Sequence, residues 1–201
     1  MGTRGLTMVI CDGETKVAQY GQWDHYPEGN GITCLEFLQK GILDKFREKL
    51  KRCRFTTNED ETEIEKFLKS IGSENGWVNS SQSEKYHQKY PYFSRDHGSD
   101  ILNVILESDD TEILLKNSIN FASDSLFCEY AYVIDLDKNT FEVFEGFNQK
   151  PLDESERFYH LQTKDEKYYP VRLLKSYDIN NLPDEETFIK DCTPPEETEE
   201  N

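Results

Sequence analysis

A hairpin at the start of the chain constrains the fold more than any other stretch. An apolar run, Leu6 to Cys11, is followed by Asp12-Gly13 and by a second run from Thr15 to Gly21. Asp-Gly between two strand-prone runs is a strong hairpin signal, because both central positions of the favoured turn need positive φ. The next six residues, Gln22-Trp23-Asp24-His25-Tyr26-Pro27, crowd a carboxylate, an imidazole and two large aromatic rings together, and Pro27, Gly29 and Gly31 then bend the chain. Strand alternation ends at Gly21, so these polar residues cannot continue a ladder and must face a turn. Loops at strand ends commonly carry site chemistry. We therefore expect Asp24, His25 and Tyr26 at the mouth of a cleft, with Trp23 largely buried beneath them. A carboxylate is costly to bury unpaired, so Asp24 should accept backbone amides or stay wet.

Downstream, Ile32, Leu35, Leu38, Ile42, Leu43, Phe46, Leu50 and Cys53 recur at helical spacing, predicting a helix over 32–53 that Gly41 breaks or kinks. Six basic residues fall between Lys45 and Arg54, and Thr56 to Glu61 then gives an N-cap and an acidic first turn for a helix ending at Ile71. Neighbouring blocks of opposite charge suggest two antiparallel helices attracting each other across their rims. Residues 72–98 are polar and aromatic, with a short helix over 80–89 stopped by Pro91, and so long a connection suits a lid. A further helix is expected to Leu106, and 112–126 leans towards helix. The run 128–137 turns at Lys138-Asn139 into 140–145, a second hairpin. Strands are expected at 157–162 and 168–177, and a short helix at 184–190.

The 201 residues suit a single α+β domain over 1–192, antiparallel sheets with inserted helices, followed by a disordered acidic tail at 193–201. Forty acidic residues against 23 basic ones give a net charge of −17. Such a balance repels a phosphate backbone, so direct nucleic-acid binding is disfavoured, whereas solubility and a basic protein partner both fit. The five cysteines form no CxxC pair, and four of them fall in expected elements on or near apolar faces, as buried thiols in a reducing compartment do. With no signal peptide and no apolar run of membrane length, a soluble cytoplasmic protein is expected.

Phosphate loops, dinucleotide fingerprints, serine-hydrolase elbows and zinc pairs are absent. His87, His97, Asp96 and Asp100 match no compact metal template, and Asp135-Leu136-Asp137-Lys138-Asn139 lacks the glycine and bidentate acid of a calcium loop. No metal or cofactor is expected.

The order of elements, a hairpin first, then helices, then more strands, resembles N-terminal-nucleophile (Ntn) hydrolases. That resemblance implies an αββα sandwich and amide-bond hydrolysis, with Thr3 as nucleophile and Asp24 as its supporting carboxylate, while Trp23, His25 and Tyr26 line the pocket. Gly2-Thr3 is similar to the junction at which proteasome-type precursors cut themselves, but removal of the initiator Met alone leaves Gly2 in front of Thr3. Separately, the opening MGTRG…YGQWD resembles a family of uncharacterised proteins from phages, bacteria and fungi, a likeness that implies no activity. Two non-catalytic readings stand beside hydrolysis. One is an acidic protein-binding module, such as a phage-type inhibitor of a host protein, using exposed Trp77, Tyr86, Tyr90 and Tyr92. The other is a small-molecule pocket at Trp23 to Gly31 under a 72–98 lid.

Overall fold

The computed structural model describes residues 2–73, 77–163 and 167–193, so the expected acidic tail lies outside the described residues except for Thr193. The opening hairpin forms as expected: β1 (Gly5–Cys11) and β2 (Glu14–Gly21) pair antiparallel, and Asp12 and Gly13 take φ of 57° and 74°. The second hairpin joins β5 (Tyr130–Asp135) to β6 (Thr140–Glu145). The sheet is completed by β7 (Arg172–Asp178), in the order β2-β1-β5-β6-β7.

The sheet is mixed, not purely antiparallel, because β1 and β5 run parallel in register from Gly5↔Tyr130 to Ile10↔Asp135. Two hairpins therefore lie side by side, joined through their first strands. Each of those strands is buried almost throughout, as central strands covered on both faces are. Asp137, at the turn of the second hairpin, accepts the Asp12 and Gly13 amides at 2.9 and 2.8 Å, so one turn caps the other.

Six helices lie among the described residues. α1 (Ile32–Gln39) and α2 (Leu43–Leu50) are separated at Gly41, whose φ of 67° ends the first helix. With α5 (Ile101–Glu107) and α6 (Glu185–Cys192) they cover one face of the sheet, where Val9, Tyr132, Ile134, Phe141 and Val143 meet Phe37, Phe46, Ile101 and Phe188. On the other face Leu6, Met8, Ala131, Val133 and Phe144 pack against Ala122, Leu152, Phe158 and Val171. α3 (Asn58–Ser70) and α4 (Ser80–Lys89) each start on a reciprocal capping box, Thr57 with Asp60 and Asn79 with Gln82.

Several expectations are corrected. Helix α2 stops at Leu50, and Cys53–Phe55 instead forms β3, parallel to β4 (Ile113–Leu115), in the stretch that leaned towards helix. Strands of three residues leave no period to read. The basic block mostly serves a loop and not the next helix: Lys49 pairs with Asp109 at 3.8 Å, and Arg52 reaches the Asp110 carbonyl at 3.3 Å. Arg54 alone bridges to α3, through Asp60 at 2.6 Å. In the 72–98 segment, Tyr86 and Tyr92 are buried in the core, leaving Trp77 as its exposed aromatic.

Residues 157–162 form a turn where a strand was expected. Arg157 is held back from the surface: its guanidinium meets Asp135 at 2.8 Å and Glu142 at 2.6 Å, with the three side chains 17, 3 and 12% exposed. Burial alone would raise the pKa of Asp135, but the Lys138 amide and Arg157 outweigh it and hold that carboxyl below its ordinary value. Arg157→Leu should cost about 3 kcal/mol in urea denaturation, because two buried carboxylates lose their cation. A loss below about 1 kcal/mol would show that the network is not structural.

Candidate functional site

A single row of the register, Gly21–Gly5–Tyr130–Glu145–Arg172, crosses all five strands of the large sheet. The segments leaving this row are residues 2–4, 22–31, 126–129 and 146–148, so they share one end of the sheet. Both hairpin turns occupy the opposite end.

The loop after β2 is organised by two glycines. Gly5 and Gly21 are cross-strand partners, and the His25 ring fills the space where their side chains would stand. His25 is fully buried; its amide donates to Thr3 O at 3.2 Å and its carbonyl accepts from Tyr132 Oη at 2.8 Å. Asn30 then folds the loop on itself. Its Nδ2 donates to the carbonyls of Trp23 and Asp24 at 2.9 and 2.8 Å, and its Oδ1 accepts from the Ser99 amide. Turning the Asp24 carbonyl inward to Asn30 accompanies a left-handed backbone at Asp24, with φ of 55°.

These placements reverse two expectations. His25, expected at a cleft mouth, is the buried residue, whereas Trp23, expected beneath it, is 49% exposed. A glycine pair leaves room for one flat ring, and the imidazole occupies it. Trp23 lies outside against Gly2, its Nε1 donating to Asp96 at 3.1 Å. Asp24 and Tyr26 are exposed. Thr3 is 1% exposed and its Oγ1 has no hydrogen-bond partner. Neither Thr3 nor Asp24 lines the 610 Å³ cavity or the smaller ones of 290 and 300 Å³. The Thr3 carbonyl accepts from the amide of His25, the residue after Asp24.

Residues that sequence reasoning missed complete this end of the sheet. Of eight large apolar side chains exposed among the described residues, five sit here: Trp23, Tyr26, Leu126, Phe127 and Phe147. Arg4 lies over the Phe127 ring at 4.4 Å. Phe147 has φ of 52° and is 57% exposed. Its turn is clamped: Gly146 N donates to Glu129 O at 2.8 Å, Phe147 N to Ser125 O at 2.7 Å, and Asn148 N to Ser125 Oγ at 3.1 Å. The only sequence signal was the turn residue Gly146 next to an aromatic.

The rim is acidic. Asp24, Glu28, Asp124, Glu129 and Glu145 surround the aromatic rings, and none makes a salt bridge among the described residues. Burial raises the pKa of Tyr130 to about 12, and Glu145, Glu28 and Glu129 push it the same way. Burial also raises the pKa of Glu145.

Elsewhere, Cys11, Asp12 and Asp137 bring potential ligand atoms within 4.8 Å of one another. Asp137 is already occupied by two turn amides, and Arg47 approaches Cys11 Sγ at 3.5 Å, which disfavours a cation there. All five cysteines are free and buried, and burial raises the pKa of each, Cys34 and Cys53 to about 12. No family model, curated protein or solved structure matches the chain.

His25 gives this loop a pH signature. Its Nδ1 contacts Trp23 O at 3.2 Å, which makes Nδ1 the protonated nitrogen, and Nε2 is left without a partner. Burial lowers its pKa from 6.5 to about 4, with the Trp23 carbonyl pulling weakly the other way. Between those values the unfolded state binds the extra proton, so stability is complete above the upper one and falls as the pH drops towards the lower. From about pH 7 to pH 4 the protein should lose roughly 3 kcal/mol more than His25→Phe does, measured by urea denaturation. Parallel pH profiles would refute the assignment.

Proposed function

We propose that this chain is a protein-recognition module whose acidic, aromatic sheet end takes a basic segment of a partner protein. The observation that carries this reading is the convergence of strain and apolar exposure. Asp24 and Phe147, two of four non-glycine residues with positive φ among the described residues, sit at this end, while the other two are ordinary hairpin-turn positions. A left-handed non-glycine residue costs about 1–3 kcal/mol, and such strain clusters at functional surfaces. Here it goes with Trp23, Tyr26, Phe127 and Phe147, and exposed aromatic residues of this kind supply most interface hot spots. Five carboxylates around them, none in a salt bridge among the described residues, favour Lys and Arg on the partner. An inhibitor that occupies a basic surface of a host protein is one biological form of this reading.

The amide-hydrolase reading, with its Ntn-like sandwich, has weaker support. It needs Thr3 at a free terminus in an open cleft, whereas the Thr3 hydroxyl is buried and no base reaches it. Intact-mass spectrometry of the purified protein should therefore find no species beginning at Thr3. A Thr3-terminated mass would revive hydrolysis.

Random-peptide display with the whole protein as bait tests recognition. Enriched peptides should pair Lys or Arg with apolar residues, and raising the salt should weaken them. Trp23→Ser and Phe147→Ser should each reduce affinity at least tenfold at unchanged melting temperature. Peptides without basic residues, or binding indifferent to both substitutions, would sink the proposal.

A further inference from the structure

The sheet edge at β2 carries a second, chemically opposite feature. β2 is an outer strand, and two loops cover its free side. Ser118 N donates to Ala18 O at 3.0 Å, and Gln22 N donates to Arg95 O at 3.1 Å. Gln19 Nε2 reinforces the second contact by donating to Ser94 O at 2.9 Å. Between these two anchor points the loops separate. Outward positions alternate along an edge strand, so the Tyr20 N–H, midway between Ala18 and Gln22, also faces away from β1. The gap is the 610 Å³ cavity, closed on its far side by α4 and by Trp77-Val78.

Its wall departs from the rest of the molecule. On a chain with 40 acidic residues, one carboxylate among the described residues lines it, Asp96, and that group already accepts from Trp23 Nε1. Arg95 and Lys116 also line it, and neither pairs with a carboxylate among the described residues. The Lys116 ammonium stands 5.1 Å from the centre of the Phe93 ring and 5.9 Å from that of Tyr86. Tyr20 and Leu68 add apolar surface, and Trp77, 85% exposed, stands at the rim. A volume of this size suits a drug-sized molecule, and aromatic walls with a few converging polar groups are what such sites use.

We infer that this cavity binds a small planar molecule carrying one anionic group, a carboxylate or a phosphate. The flat part lies among Tyr20, Phe93 and Trp77, while Arg95, Lys116 and the Tyr20 amide receive the anion. Arg95 and Lys116 are both exposed, so the attraction rests on two cations converging on one recess beside aromatic walls and not on their burial. The proposal is independent of the protein-recognition reading, since its anion-binding groups lie outside the acidic end of the sheet.

The protein has two tryptophans, and Trp77 at the rim is the reporter, with Trp77→Phe as the control that should lose the signal while keeping the Trp23–Asp96 bond. Its fluorescence is titrated with phenyl phosphate, indole-3-acetate and AMP, each beside its uncharged analogue phenol, indole-3-acetamide or adenosine. At least one anion should saturate the signal at a Kd tenfold or more below that of its analogue, and the phosphate and carboxylate arms identify the preferred group. Lys116→Met and Arg95→Gln should each weaken that anion about tenfold and leave its analogue unaffected. Amide shifts in the unmutated protein, which need no variant to fold, should centre on Tyr20 and Ser118. Failure of all three anions to saturate, equal affinity for the neutral molecules, or shifts centred elsewhere would overturn the inference.

Discussion

The parallel contact between β1 and β5 is the constraint from which the rest of the molecule follows. Each strand brings its own antiparallel partner, so one pairing fixes four strands and decides what lies at either end of them. Because the first strands run the same way, both hairpin turns fall together at one end, close enough for Asp137 to cap the Asp12-Gly13 turn. The other end collects residues 2–4, 22–31, 126–129 and 146–148. An antiparallel contact would have placed one turn beside the 22–31 loop and dispersed the exposed aromatic residues. Parallel pairing needs a long crossover, and the helices between β2 and β5 supply it while covering one sheet face.

Sequence reasoning worked where local chemistry decides structure. The Asp-Gly turn, the Gly41 break and the Thr57 cap each act over a few residues and can be read from the chain alone. The direction of β5 against β1 could not be read. A strand buried on both faces shows a nearly continuous apolar run, which carries no mark of its neighbour's direction. The three-residue strands β3 and β4 exist because each completes the other across 60 residues of sequence, Arg54 opposite Leu114, and an ion pair of 2.8 Å from Arg54 to Glu112, just before β4, also joins them.

At the candidate site, the loop was legible and its inside-out arrangement was not. Burial of Trp23 is the ordinary expectation for the most apolar ring in the segment. What overrode it was the Gly5–Gly21 pair, a cross-strand partnership invisible until the register is known. Those glycines leave a slot on the sheet that His25 fills, at the cost of an unpartnered Nε2. Phe147 escaped for a related reason. Its exposure depends on Ser125, which receives the Phe147 amide by its carbonyl and the Asn148 amide by its hydroxyl, a clamp across 22 to 23 residues of sequence.

The charge distribution gives the two proposed surfaces their separate identities. A net charge of −17 sets an attractive field for cations over the whole molecule, so an acidic rim alone would distinguish nothing. On the proposed reading, selectivity at the sheet end comes from apolar rings fixed among the carboxylates: a basic partner reaches any face, but desolvated contact is available where Trp23, Tyr26, Phe127 and Phe147 stand. The β2-edge cavity works against the same background. An anion approaching it crosses a repulsive field, so diffuse attraction cannot hold it, and binding has to come from short-range contacts with Arg95, Lys116 and the Tyr20 amide. One acidic chain can in this way present a cation-seeking end and an anion-seeking edge, kept apart by β2 and by the Trp23–Asp96 hydrogen bond between them.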